Sequence, residues 1–256
     1  MCIVAFSYHQ KKNYPLILLS NRDEFRNRPT LSLDFWADKP HILAGRDLLH
    51  GGTWAGVNQS GCYAIITNYR NPSALKYDSP SRGHIISLFL DNHLTPEEFC
   101  IKHDSEFNNY NPFNILMGDR HSLIYYSNMT HQLRILTPGL YGLSNHLLNT
   151  PWPKVKKIKH SLTHYLEHHD TIETESLFSI LHDTTRPIDH DLPNTGIGLE
   201  WERLLSSIFI DEPNYGTCAS TIMTIDHCYK IQLIERSFRS TQPLQFEDRH
   251  FEIICS

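Results

Sequence analysis

No CxxC pair and no repeated spacing relates Cys2, Cys62, Cys100, Cys218, Cys228 and Cys255, so neither a zinc module nor a disulfide framework has support. A reducing cytoplasm is the expected compartment, with most of these thiols inert in the core. Long apolar runs are also missing, and nothing approaches the roughly 20 residues needed to cross a bilayer as a helix. The first apolar run, Ile3 to Phe6, is cut short by Ser7, Tyr8 and His9 and has no basic flank, which argues against a signal peptide. Positive charge is not in excess: the formal charge is −5, and nucleic acid is not an expected partner. No repeat, low-complexity tract or Gly/Ser- or Pro-rich linker divides the chain, so one domain over residues 1–256 is expected. What is present suffices for a sizeable core: 40% of residues are apolar and 20% charged.

Short apolar or alternating runs bounded by turn residues predict strands over Cys2–Tyr8, Pro15–Ser20, Cys62–Asn68, Phe113–Gly118, Leu123–Ser127, Leu133–Thr137, Ala219–Ile225, Tyr229–Glu235 and Phe251–Cys255. A hairpin turn over Tyr8–Tyr14 joins the first two. Helical patterns cover Arg82–Asn92, a stretch opened by the capping box Thr95-Pro96-Glu97-Glu98, Pro153–His169, and Glu175–His182 with Thr174 as cap. Loops are expected over Pro187–Gly198 and Asp211–Thr217. Strands come in runs with too little βαβ alternation for a doubly wound sheet. The expected class is α+β, with antiparallel sheets stacked face to face and helices outside.

The second residue is the first chemical signal. Removal of Met1 would leave Cys2 carrying both a thiol and an α-amine of pKa roughly 8, a nucleophile and a base on one residue. Asn21-Arg22-Asp23-Glu24 follows the second predicted strand, and a hairpin would return it close to Cys2. There Arg22 would favour the thiolate and Asp23 would orient the amine; the alternative is an exposed charged turn. Gly51-Gly52-Thr53-Trp54 reads either as a close backbone approach to a ligand or as a tight bend. Thr67-Asn68-Tyr69-Arg70 and Leu143-Ser144-Asn145 end strands in polar residues, and an asparagine fixed at such a point is a candidate oxyanion donor as well as an ordinary turn residue.

Together with Gly45-Arg46-Asp47, Ser81-Arg82-Gly83, Phe113-Asn114, Tyr141-Gly142, Pro151-Trp152-Pro153-Lys154, Tyr215-Gly216-Thr217 and Glu235-Arg236, these segments resemble the NRDE family, that of transport and Golgi organisation protein 2. The resemblance runs from residue 1 to about residue 238. It implies a four-layer αββα sandwich of the N-terminal-nucleophile hydrolase type, with Cys2 in the nucleophile position. It also implies catalytic roles for Arg22, Asp23, Asn68 and Asn145, with Asp23 against Glu24 left open, and ligand binding by Asn21, Glu24, Trp54, Tyr69 and Arg70. Cys218 departs from the pattern, because family members often carry Arg there.

The implied activity is hydrolysis of a linear amide or thioester. The alternative is non-catalytic handling of haem or acyl-coenzyme A; no cofactor is required, and haem would be cargo. The partner in either case is a small molecule. His160, His164 and His168 recur every four residues on one face of the Pro153–His169 helix, a spacing that suits metal. With no carboxylate read at matching offsets, a solvated face is expected and no metal ligand is assigned. The lysines Lys154, Lys156, Lys157 and Lys159 are likewise read as solvated.

Overall fold

The computed structural model describes residues 2–241 and 244–254. The fate of Met1 and the final residue of the strand expected over Phe251–Cys255 lie outside the described residues. Strands β1 (Cys2–Lys11) and β2 (Tyr14–Phe25) form the expected hairpin, turning at Lys12-Asn13. A meander follows: β3 (Thr30–Trp36), β4 (Lys39–Asp47), β5 (Ala55–Asn58) and β6 (Tyr63–Asn68). Helices α1 (Gly83–Leu90) and α2 (Pro96–Phe107) come next, then β7 (Phe113–Gly118), β8 (Leu123–Ser127), β9 (Gln132–Ile135) and β10 (Gly139–Leu143). Helices α3 (Pro153–His168), α4 (Thr174–Leu181) and α5 (Leu199–Leu204) precede β11 (Tyr215–Ile225), β12 (Lys230–Thr241) and β13 (Leu244–Ile254).

The strands make two antiparallel sheets, ordered β10-β1-β2-β11-β12-β13 and β3-β4-β5-β6-β7-β8-β9. Period-two alternation sorts their side chains into layers. Val4, Phe6, Leu16 and Leu18 of the first sheet pack with Leu43, Val57, Ile65 and Leu116 of the second. The residues between them in sequence point outward. Ile3, Ala5, Ile17 and Leu19 meet Ile158, Leu162, Leu177 and Leu181 of α3 and α4. On the far side Ile42, Ala64, Ile66 and Met117 meet Ile85, Phe89, Phe99 and Phe107 of α1 and α2. The order is therefore αββα, and each fully buried Val, Ile, Leu, Met or Phe side chain in it contributes roughly 1.5–3 kcal/mol.

Local signals explain much of this. Thr95 and Glu98 complete the capping box of α2 in both directions. Helix α3 buries Val155, Ile158, Leu162, Tyr165 and Leu166 along one face. Other expectations are corrected. Strand β2 does not stop at Ser20 but runs through Asn21–Glu24 to Phe25, because β1 pairs with it as far as Arg22 and β11 as far as Phe25. Strands β3 and β4 and helix α5 were not anticipated. Thr174 is not the cap of α4: Glu173 holds that position without a side-chain cap bond, and its N–H donates to the Tyr165 hydroxyl at 2.7 Å.

Phe6 is fully buried between the sheets and stacks on Tyr141 with centroids 5.1 Å apart. Phe6→Ala should cost about 3–5 kcal/mol in urea unfolding; a loss below about 1 kcal/mol would contradict a tightly packed inter-sheet layer.

Candidate functional site

In the β1–β2 ladder Cys2 stands opposite Arg22. Alternation puts Cys2 on the side of Val4 and Phe6, facing between the sheets, at the point where the apolar filling ends. Hydrogen bonds between the sheets fix their relative position there. Thr67 Oγ1 donates to the Ser144 carbonyl at 2.9 Å and the Arg70 N–H donates to the Asn145 carbonyl at 2.7 Å; on the first sheet's own side, Ser144 Oγ donates to the Cys2 carbonyl at 3.1 Å. The result is a cavity of about 260 Å³ whose walls include Cys2, Arg22, Asp23, Glu24, Trp54 and Asn68, and also Arg28, Asp47 and Arg82. Gly52 and Gly83 close one wall by direct backbone approach; a Cβ on Gly52 would stand 2.5 Å from the Gly83 carbonyl carbon. Of the two readings, the tight bend fits Gly51, at φ +76°, and the close approach at Gly52 is to the Gly83 backbone.

Charges ring the thiol. The Arg22 guanidinium lies 4.3 Å over the Trp54 ring and 3.8 Å from Asp47 Oδ2. Asp47 also accepts from Arg28 Nε at 2.5 Å and from the N–H groups of Leu49 and His50. Burial opposes its ionisation, but these donors outweigh burial and hold its carboxyl below the usual range. Burial pushes the Cys2 thiol up, with Arg22 acting against it. Asp23 is 1% exposed and accepts from Thr217 Oγ1 at 2.8 Å; burial raises its carboxyl, while Lys154 and Arg22 oppose the rise.

Four expected site residues lie off the cavity walls. Asn21 faces the helical layer, donating through Nδ2 to the carbonyls of Leu181 and Ile208 and accepting from Ser220 Oγ. Its amide is spent on structure, as alternation along β2 requires. The Tyr69 hydroxyl bonds His146 Nε2 at 2.8 Å. Arg70 is buried in an ion pair with Glu202 at 2.5 Å and lies 5.0 Å from the Trp152 ring. Asn145 sits behind Asn68, its Nδ2 donating to the Asn68 carbonyl at 2.9 Å and its Oδ1 accepting from Arg70 at 3.5 Å.

Several contributors were not assigned to the site from the sequence. Arg82, Asp47, Thr217, Ser144 and Lys154 all fall inside motifs quoted for the family resemblance, so the signal existed without a role attached. Glu202 had none, since α5 was not expected. Lys154 corrects the reading of a solvated lysine face: it is 4% exposed and its Nζ donates to the Leu205 carbonyl at 2.8 Å. Lys156, by contrast, is exposed. Cys218 lies at a bulge in β11 between Thr217 and Ala219. It lines a second cavity of about 360 Å³ that shares Arg22, Arg28 and Trp54 with the first and includes Arg26 and Arg249.

Burial lowers the Lys154 ammonium to about 8, with Asp23 pulling the other way. A lysine whose folded value lies below its unfolded value binds fewer protons in the native state between the two, so its contribution improves as pH rises through that window. Measured by urea unfolding against Lys154→Met, the protein should gain relative stability from about pH 8 to about pH 10. A flat or falling difference would refute a buried ammonium.

Residues 1–240 match the family described as Transport and Golgi organisation 2. The human Transport and Golgi organization protein 2 homolog is 33% identical over 272 residues, covering 98% of each chain. The mouse Transport and Golgi organization 2 homolog is 32% identical with the same coverage. Among solved structures, a mutant conjugated bile acid hydrolase from Clostridium perfringens aligns over 100% of this chain and 98% of its own, with a TM-score of 0.55 at 10% identity. At that identity the likeness concerns the fold, which is N-terminal-nucleophile hydrolase-like, as the family resemblance implied. By family match and by relatives of nearly equal length, the chain belongs to the Transport and Golgi organisation 2 family.

Proposed function

We propose that this protein is a thiol-nucleophile hydrolase of a small-molecule amide or thioester, acting in the cytoplasm with Cys2 as the attacking group. One observation carries the reading: Cys2 lies on the wall of a polar cavity beside Arg22 and Asn68. The Cys2 thiol is pushed up by burial, so it rests protonated and needs a base. Removal of Met1 would supply one on the same residue. The α-amine takes the thiol proton as sulfur bonds to the substrate carbonyl carbon. The oxyanion of the tetrahedral intermediate accepts from the Asn68 amide. The ammonium then returns the proton to the leaving nitrogen or sulfur as that bond breaks, and water hydrolyses the S-acyl enzyme to a carboxylic acid and the free thiol.

In this scheme Asn145 acts mainly through Asn68, whose carbonyl it holds. Arg22 favours the thiolate as it forms, and Glu24 completes a wall. The alternative, a carrier of haem or acyl-coenzyme A, needs an apolar cleft reaching Cys2. The charged and amide walls favour the hydrolase instead.

Intact-mass analysis should find Met1 removed, and an electrophilic acyl probe should add to Cys2 in the native protein and not in Cys2→Ala. Retained Met1, or equal turnover of an amide or thioester library by Cys2→Ala, would end the proposal. With a substrate in hand, Asn68→Ala should lower kcat by about 10²–10³-fold while thermal unfolding stays unchanged. Haemin titration separates the carrier: a Soret shift lost in Cys2→Ala, without turnover, would establish it in place of the hydrolase.

A further inference from the structure

The exposed face of α3 holds a cluster unrelated to the cavity. His164 and His168 stand one turn apart with ring centroids separated by 4.3 Å. Glu167 lies between them in sequence and on the same side, and one ligand atom from each of the three lies within 4.8 Å of the others. This corrects the expectation that no carboxylate stands at matching offsets. All three side chains are exposed, and those of His164 and Glu167 are free to rotate. The backbone beneath them is not: the opposite face of α3 buries Leu162, Tyr165 and Leu166 against the sheet.

Two further observations point to a cation. His168 Nδ1 lies 2.7 Å from the His164 carbonyl, so its N–H is committed to the backbone and Nε2 is left with its lone pair outward. A hydrogen bond on the second ring nitrogen is how metal-binding histidines fix tautomer and orientation. The cluster also occupies the last turn of α3, where unpaired carbonyls carry the negative end of the helix dipole.

We propose that His164, Glu167 and His168 form a surface site for a late first-row divalent transition ion such as Zn²⁺ or Ni²⁺. Two imidazoles and a carboxylate suit these ions, whereas Ca²⁺ and Mg²⁺ require oxygen donors throughout. Ligands at about 2.0–2.1 Å from a tetrahedral ion stand about 3.3 Å apart, which rotation of the exposed side chains can reach. Water completes the coordination. The bound ion ties two turns of α3 together and stabilises the folded chain by mass action.

Titration calorimetry of the full chain with ZnCl₂ and with NiCl₂ tests this, alongside thermal unfolding with and without metal. His164→Ala and His168→Ala should each weaken binding at least about tenfold, Glu167→Gln should weaken it less, and His160→Ala should leave it unchanged. Zinc should raise the Tm of the native protein and not that of the double variant at positions 164 and 168. Equal affinity and equal Tm gain in native protein and double variant, or an equal loss in His160→Ala, would overturn the site.

Discussion

Burying the polar end of β2 in the middle of a sheet is the constraint from which the rest of this structure follows. Asn21, Arg22 and Asp23 are all buried, although an unpaired polar group in such a place is costly. Each side chain therefore recruits its own partners. Asn21 collects two carbonyls and the Ser220 hydroxyl, and so ties α4 and the segment around Ile208 to the sheet. Arg22 lies on Trp54 with Asp47 nearby, and so draws the second sheet toward the first. Asp23 engages Thr217 and the field of Lys154. The sandwich and its cavity are organised by satisfying one short run of strand.

The same logic accounts for the charge buried behind the cavity. Removing either Arg70 or Glu202 would strand the other, because their side chains are only 5% and 4% exposed. Such a pair adds little net stability over an apolar replacement. It does fix geometry: Arg70 holds Asn145, Asn145 holds the Asn68 carbonyl, and Asn68 borders the cavity. Glu202 in turn accepts from the N–H and hydroxyl of Thr195, which anchors the loop preceding α5.

The layers were legible in the sequence because they rest on periodicity. Ile17 and Leu19 against Leu16 and Leu18, or the stripe of α3, follow from spacing alone. The end of β2 was not legible, since a polar run after an apolar one looks like a turn unless its neighbours are known. Strand β4 is broken in pattern by Pro40 and His41 and depends on tertiary pairing, whereas β3 alternates at Leu31, Leu33 and Phe35 and was legible by the rule that found its neighbours. At the site, Cys2, Arg22, Asp23, Glu24, Trp54 and Asn68 were named in advance and converge. Tyr69 and Arg70 are neighbours of Asn68 in sequence that point elsewhere, which motif adjacency alone cannot separate. Lys154 was misread because helix spacing describes faces, and its burial comes from α5 and β2, which are distant in sequence.

Cys218 is the supernumerary residue of the β11 bulge: Thr217 pairs with Asp23 and Ala219 with Arg22, so the ladder passes it by. Its side chain is thus released from the pairing rules that bind its neighbours. It faces the chamber shared with Arg22, Arg26, Arg28 and Arg249. With arginine at this point, that chamber would gain another guanidinium without any change of register. The bulge is a place where the electrical character of the second chamber can be rewritten by one codon while the architecture stays fixed.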